Sequence, residues 1–141
     1  PLTDKYDDAS FAYETYDAAV NFWANRLPKD FVPFWDLVFN DGDDMPRDSS
    51  AAAIAICGLL ERIKSTEDSE KKALYKDIAD SMMRGLIEKY AYKPGDKTNG
   101  LLAHAVYSYK DEKGVDECNI WGDYYYMEAL ARYLTDWKLY W

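Results

Sequence analysis

Residues 46–64 read PRDSSAAAIAICGLLERIK, and the fold is decided there. Asp48, Ser49 and Ser50 are helix-starting residues, because short polar side chains accept hydrogen bonds from the unpaired N–H groups of a first turn. Residues 51–60 follow with no polar side chain. A helix that is apolar on every side does not lie on a surface; other elements must surround it. Its Ala and Gly residues let neighbouring helices come close. The stretch predicts an inner helix of a larger helical assembly, over residues 49–64, with a long polar-aromatic loop feeding into its start.

Upstream, a first helix is predicted over residues 10–26. Phe11, Tyr16, Ala19, Val20 and Trp23 recur near the helical period there, with Glu14, Asp17, Asn21 and Asn25 between them. Pro28 ends it. Residues 29–47, KDFVPFWDLVFNDGDDMPR, form the loop. A structureless connection of this length in a compact domain is usually functional or disordered. Phe31, Phe34, Trp35 and Phe39 argue against disorder, and residues 40–44, NDGDD, are turn chemistry.

Downstream, residues 65–68 make a short break before a third helix over 69–90. Its apolar stripe is Leu74, Ile78, Met82, Leu86 and Tyr90, joined by Met83 and Ile87. Residues 93–100 break that helix. Residues 101–109, LLAHAVYSY, are open between strand and helix, and residues 110–114 read as a charged turn. Trp121, Gly122 and Asp123 open a fourth helix, with Asp123 as its N-cap, through YYYMEALARYLTDW.

The helices therefore alternate between wet-faced and buried, and their connections run long, short, long. The short link makes the second and third helices an antiparallel hairpin. Both long loops then gather on one face, which is the expected functional end. Alternating inner and outer helices with elaborated loops at one end is what a barrel of helical hairpins requires, and four helices make an arc of it. An open arc leaves the flanks of its buried helices bare. The isolated chain is therefore expected to self-associate or to be found with the rest of its barrel.

Composition narrows the partners. The chain has 141 residues, which suits one domain with a sizeable core. With 48% hydrophobic residues, 13 Tyr and 5 Trp, it is not disordered. A net charge of −9 argues against nucleic acid and anionic membranes, which need a basic face. No apolar run reaches the roughly 18 residues of a membrane span. Cys57 and Cys118 show no metal or redox spacing and read as reduced thiols. The chain opens on Pro1 without an initiator Met or a signal peptide, and in a fragment the absence of a signal says little about the parent.

Four stretches together carry a resemblance. They are residues 32–36 (VPFWD), 46–54 (PRDSSAAAI), 100–108 (GLLAHAVYS) and 119–130 (NIWGDYYYMEAL). In order and spacing they closely resemble the C-terminal part of the unsaturated glucuronyl hydrolases, the glycoside hydrolases of family 88. The resemblance implies an all-α fold, a partial (α/α)6 barrel or six-hairpin toroid, of which residues 1–141 are the C-terminal segment with about four main helices. It implies a cytoplasmic enzyme that removes a 4,5-unsaturated uronic acid from the non-reducing end of glycosaminoglycan disaccharides left by a lyase. An aspartic acid protonates C4 of the vinyl ether, water adds at C5, and the resulting hemiketal opens with loss of the glycosidic bond. The two-carboxylate spacing rule of ordinary glycosidases does not transfer to such a hydration. Neither metal nor cofactor is implied.

The family's catalytic aspartates lie in segments that this sequence does not match, so no catalytic residue is assigned and the chain alone is expected to be inactive. Asp36, Asp48 and Asp123 each have a structural reading: loop turn, helix cap and helix cap. The substrate-binding candidates are Ser108, Lys113, Arg47, Trp35 and Trp121. Ser108 and Lys113 fit a Ser-x-x-Ser-x-Lys loop that helps chondroitin- and hyaluronan-active members bind sulfate; Asp111 replaces the middle serine and would repel sulfate. Trp35 and Trp121 offer indole faces for sugar stacking, with core packing as the other reading. Arg47 suits bidentate pairing with a uronate, or pairing with Asp44 or Asp48. His104 reads as a hydrogen-bonded structural histidine. An unsaturated rhamnogalacturonyl hydrolase, or a noncatalytic sugar-binding or scaffold module, are the alternatives.

Overall fold

The computed structural model describes residues 10–138. It contains α1 (Ser10–Ala24), α2 (Ser49–Ser65), α3 (Ser69–Gly85), which runs on into a π-helical turn (Leu86–Tyr90), β1 (Ala105–Ser108), β2 (Lys113–Glu117) and α4 (Ile120–Leu134). No described helix is long and apolar enough to cross a membrane.

The second helix starts as its sequence dictates. The Asp48 side chain accepts hydrogen bonds from the Ser50 and Ala51 N–H groups, which satisfies donors the helix itself cannot pair. Ala52, Ala53 and Ile56 then have no exposed surface. Helix α4 runs parallel to α2 and directly against it. Ser50 lies beside Gly122, where an added Cβ would stand 3.0 Å from the serine Cβ. The Cys57 thiol donates to the Tyr125 carbonyl at 3.4 Å, and one turn on Glu61 meets Arg132 at 2.7 Å.

Helix α3 turns back after Thr66, Glu67 and Asp68, with Asp68 capping its start. It lies behind the seam of the two inner helices, and the Tyr133 hydroxyl of α4 donates to Asp80 at 2.7 Å. Helix α1 lies on the outside of α2 and antiparallel to it: Arg62 sits over the Tyr13 ring, 4.3 Å from its centroid, while Trp23 lies toward Ile54 and Ala55. The expected alternation of outer and inner helices is therefore present, and both long connections reach the start of α2. The Asp48 N–H donates to the Pro33 carbonyl at 2.8 Å and the Ser49 N–H to the His104 carbonyl at 3.1 Å.

Several local expectations are corrected. Within the stretch open at residues 101–109, only Ala105–Ser108 is strand, paired antiparallel with β2, so the charged residues 110–114 include the tip of a β-hairpin and the start of its second strand. Asn119, not Asp123, caps α4, accepting from the Gly122 N–H. Leu74 is 50% exposed and Tyr75 takes its place in the core, because the buried stripe of α3 runs through Tyr75, Ile78, Ala79, Met82 and Met83. Phe11 is exposed too. Helix α2 is not covered on every side, since Ile54 is exposed and Ala51, Ala55 and Gly58 are half-buried.

Asp17 ties three helices together at the end away from the loops. It accepts from the Lys71 ammonium and the Tyr75 hydroxyl, each at 2.6 Å, and lies 3.5 Å from Arg62. Burial alone would raise its pKa; the hydrogen bonds from Lys71 and Tyr75, with the charges of Lys71 and Arg62, outweigh it and hold the carboxylate below the ordinary aspartate range. A lowered native pKa stabilises the fold above the unfolded-state value, and that contribution disappears as the pH falls through the native one. Asp17→Asn should therefore lower the urea midpoint at neutral pH and cost little in strong acid. An equal loss at both pH values would contradict the charge pairing.

Both cysteines are free, Cys57 buried and Cys118 exposed. Burial, with the Glu128 carboxylate adding to it, pushes the Cys57 thiol up to about 12. A thiol reagent should therefore modify one cysteine per native chain, and the second only after denaturation. Two fast equivalents would show that α2 is not held as described.

Candidate functional site

The loop face is built from the starts of α2 and α4, residues 29–47 and the β1–β2 hairpin. Arg47 is anchored at its base. Its Nη1 donates to the Val32 carbonyl at 2.6 Å and to Asp30 at 3.0 Å, its Nη2 lies 3.7 Å from Asp41, and its guanidinium covers the Phe34 ring at 4.0 Å. Neither Asp44 nor Asp48 is its partner. The reason is geometric: Asp48 spends its carboxylate on the helix cap, while an isolated bridge pairs the backbones of Phe34 and Arg47 and turns the arginine toward Asp30.

Asp30 is the hub that sequence reasoning missed. Besides Arg47 it accepts from the Tyr90 hydroxyl at 2.9 Å and lies 3.9 Å from Lys89. Burial, then the Asp30 hydrogen bond and charge, drive the Tyr90 hydroxyl far above its ordinary pKa. No motif announces this hub, since its partners come from distant parts of the chain.

The hairpin joins the two tryptophans. Trp35 stacks on Tyr109 with ring centroids 4.3 Å apart and planes 14° from parallel, so one indole face is covered. Its Nε1 is buried without a partner among the described residues. Trp121 leans on Tyr107 at 5.5 Å and 53°, and its Nε1 donates to the Ser50 hydroxyl at 3.2 Å. That hydroxyl in turn donates to Asp48 at 2.6 Å. Tyr107 itself is 64% exposed. Its signal was the alternation of large and small side chains in VYSY, which was readable only once the segment was known to be a strand.

Ser108 and Lys113 face each other across the hairpin. The Ser108 hydroxyl donates to Asp111 at 2.8 Å, and Lys113 is exposed without an ion-pair partner among the described residues. Two residues in left-handed backbone conformation, His104 (φ 61°) and Asp116 (φ 62°), meet beside the hairpin. Their side chains pair through the histidine Nδ1 at 2.5 Å, and the imidazole meets Tyr90 edge-on, in keeping with a structural histidine. The three aspartates are structural as well. Asp36 accepts from the Val38 N–H at 3.0 Å, Asp48 caps α2, and Asp123 accepts from the Leu101 and Leu102 N–H groups at 2.9 and 3.0 Å. Asp123 thus holds the strand-forming segment to α4.

No family model matches the chain. Across its whole length, in an alignment of 145 positions, it is 48% identical to an unsaturated chondroitin disaccharide hydrolase of Streptococcus pneumoniae, of which it covers 36%. It is 32% identical over 132 residues to an unsaturated glucuronyl hydrolase of Bacillus sp. strain GL1, covering 93% of this chain and 35% of that one. Among solved structures, an unsaturated glucuronyl hydrolase from Streptococcus agalactiae matches with a TM-score of 0.82 at 50% identity, over 86% of this chain and 33% of that one. The Bacillus sp. GL1 structure matches with a TM-score of 0.82 at 32% identity, over 88% and 33%. The outer and inner helices described above are thus part of an α/α barrel. Sequence and fold alike make this chain a homologue of the unsaturated glucuronyl hydrolases, one that matches about a third of their length.

Proposed function

We propose that residues 1–141 are the C-terminal segment of the barrel of a cytoplasmic unsaturated glucuronyl hydrolase. The whole enzyme removes 4,5-unsaturated uronic acid from lyase-generated glycosaminoglycan disaccharides by hydrating the vinyl ether. The catalytic aspartates lie on barrel segments outside this chain. The observation that carries this reading is the shared face. The four resembling stretches, far apart in sequence, converge where α2 and α4 begin, in a chain 48% identical to an unsaturated chondroitin disaccharide hydrolase. A solved Streptococcus agalactiae relative, a mutant, is complexed with dGlcA-GalNAc6S.

In this reading Trp121 lends an indole surface to the sugar. Trp35 lends the rim left open by Tyr109, and Arg47, paired with Asp30, fixes the loop behind the sugar. Ser108 and Lys113 meet the second sugar. Titrated with unsaturated chondroitin disaccharide, the chain is expected to bind without loss of ultraviolet absorbance. Turnover by the chain alone would overturn the placement of the aspartates. Absence of binding would overturn the contact set.

The hairpin tip bears on sulfate. Asp111 accepts the Ser108 hydroxyl and puts a negative charge at the hairpin tip, where a sulfate would meet it, and like charges brought together at an interface cost affinity. Asp111→Ser should raise the preference for 6-sulfated over unsulfated disaccharide about tenfold, or about 1.4 kcal/mol, read as the ratio of two dissociation constants. An unchanged ratio would show that the tip does not reach the sulfate.

A further inference from the structure

Two side chains in the β1–β2 hairpin region stand where the backbone favours glycine, and they meet each other. The register slips between Ala105 and Val106, since Ala105 pairs with Glu117 and Val106 with Val115. Asp116 is therefore the extra residue of a β-bulge, in left-handed backbone at φ 62°. A bulge bends its strand and re-aims a side chain. Here the aim is His104, left-handed as well at φ 61°, whose Nδ1 lies 2.5 Å from the Asp116 carboxylate. Glycine adopts this backbone freely, whereas a residue with a Cβ does so at a cost. The contact between the two side chains offsets that cost at both positions.

His104 is fixed from behind. Its carbonyl accepts the Ser49 N–H at 3.1 Å, and the Ala103 N–H donates to the Tyr90 carbonyl at 2.8 Å. The imidazole lies edge-on to the Tyr90 ring at 5.7 Å. The anchor is thus built by the start of α2 and the π-helical turn. Asp116 belongs to β2, which pairs with β1 alone. Their contact ties the hairpin to the helical body, and beyond it the hairpin carries Tyr107, leaning on Trp121, and Ser108, facing Lys113. The other charged groups on the elements around the imidazole have partners of their own. The Tyr90 hydroxyl and Arg47 donate to Asp30, which also lies 3.9 Å from Lys89. The Asp48 carboxylate caps α2 and lies 3.5 Å from the Val106 nitrogen. On β2, Glu117 stands opposite Ala105 and Lys113 opposite Ser108. Among the described residues, Asp116 is the countercharge paired with His104.

We propose that His104 and Asp116 form a latch that positions the sugar-binding hairpin and holds it best while the imidazole is protonated. This rests on the functional reading above. A protonated imidazole pairs with the carboxylate by charge, and a neutral one keeps at most the hydrogen bond. The hold is therefore present on the acid side of the histidine range and weakens as the pH rises through it. The probe is unsulfated unsaturated chondroitin disaccharide, titrated into the 141-residue chain. Its affinity should fall about threefold between about pH 5 and about pH 8, the size expected of a partly exposed ion pair. His104→Asn and Asp116→Asn should each remove that slope and leave the affinity near the parent's value at the higher pH. Asparagine tolerates left-handed backbone, so each substitution takes away the charge and spares the turn. The double variant should lose no more than either single one. Hydrogen-exchange protection of residues 105–117 in the free chain should follow the same pattern. Affinity and protection that ignore pH would overturn the latch, as would a slope that survives either substitution. A disaccharide that binds at no pH would overturn the functional contact set instead, and the protection factors would then decide the latch by themselves.

Discussion

Replacing Arg132 with methionine should cost the fold about 3–5 kcal/mol, the usual consequence of removing one partner from a buried ion pair. The guanidinium is the clamp between the two inner helices. Its Nε donates to Glu128 on its own helix at 2.8 Å, and its Nη1 donates to Glu61 on α2 at 2.7 Å. The Arg132 side chain is 4% exposed and that of Glu128 3%. Methionine fills much of the space but leaves the Glu128 carboxylate buried without its cation. The urea midpoint, compared at fixed chain concentration because association stabilises the folded state, should fall accordingly. Arg132→Met combined with Glu128→Leu removes both charges and should recover most of the loss, as apolar replacements of buried pairs often do. An unchanged midpoint in the single variant would contradict the clamp.

Gly85→Ala should destabilise by about 1–3 kcal/mol or more, as overpacking does, although alanine is ordinarily the better helix former by about 1 kcal/mol. A Cβ at this position would stand 2.2 Å from the Asp30 carbonyl oxygen and 3.3 Å from Val32 Cγ2. The obstacle is backbone and cannot rotate aside. Either α3 or residues 30–32 must move, and those residues hold Arg47 through Asp30 and the Val32 carbonyl. The variant should therefore lose disaccharide affinity along with stability. It should also disturb the near-ultraviolet circular dichroism of the Trp35–Tyr109 stack. A variant more stable than the parent would show that helix and loop do not approach so closely.

What was legible in the sequence follows the reach of each signal. The start of α2 was readable because Asp48 and its N–H partners are adjacent, and the apolar run behind it spans whole turns. The alternation of outer and inner helices was readable from the spacing of apolar and charged residues along each helix. The hairpin was not: β2 is KGVDE, with Val115 its only large apolar residue, and its strand character comes from pairing with β1. Asp123 looked like a cap because aspartates usually cap, but Asn119 came first and the Asp123 carboxylate was taken by backbone groups 21 and 22 residues away. Asp30 could not be found at all, because Arg47 and Tyr90 lie 17 and 60 residues from it. Of the candidate residues, Trp35 and Trp121 were placed on the loop face by neighbours that the sequence did not announce, Tyr109 and Tyr107.

The three-residue turn between α2 and α3 sets an order of assembly. Closing a short loop costs little chain entropy, so the α2–α3 hairpin can form early and locally. The loop face has no such shortcut. The Ser49 hydroxyl reaches the Ala103 carbonyl across 54 residues and Trp121 reaches Ser50 across 71, and contacts of that span slow folding. The surface that would receive a sugar is consequently completed after the α2–α3 hairpin, together with the α2–α4 seam, whose contacts span as many residues. A bound disaccharide, touching residues from all these segments, would register as slower hydrogen exchange at residues 46–50 and 102–108, well before it altered exchange in the middle of α3.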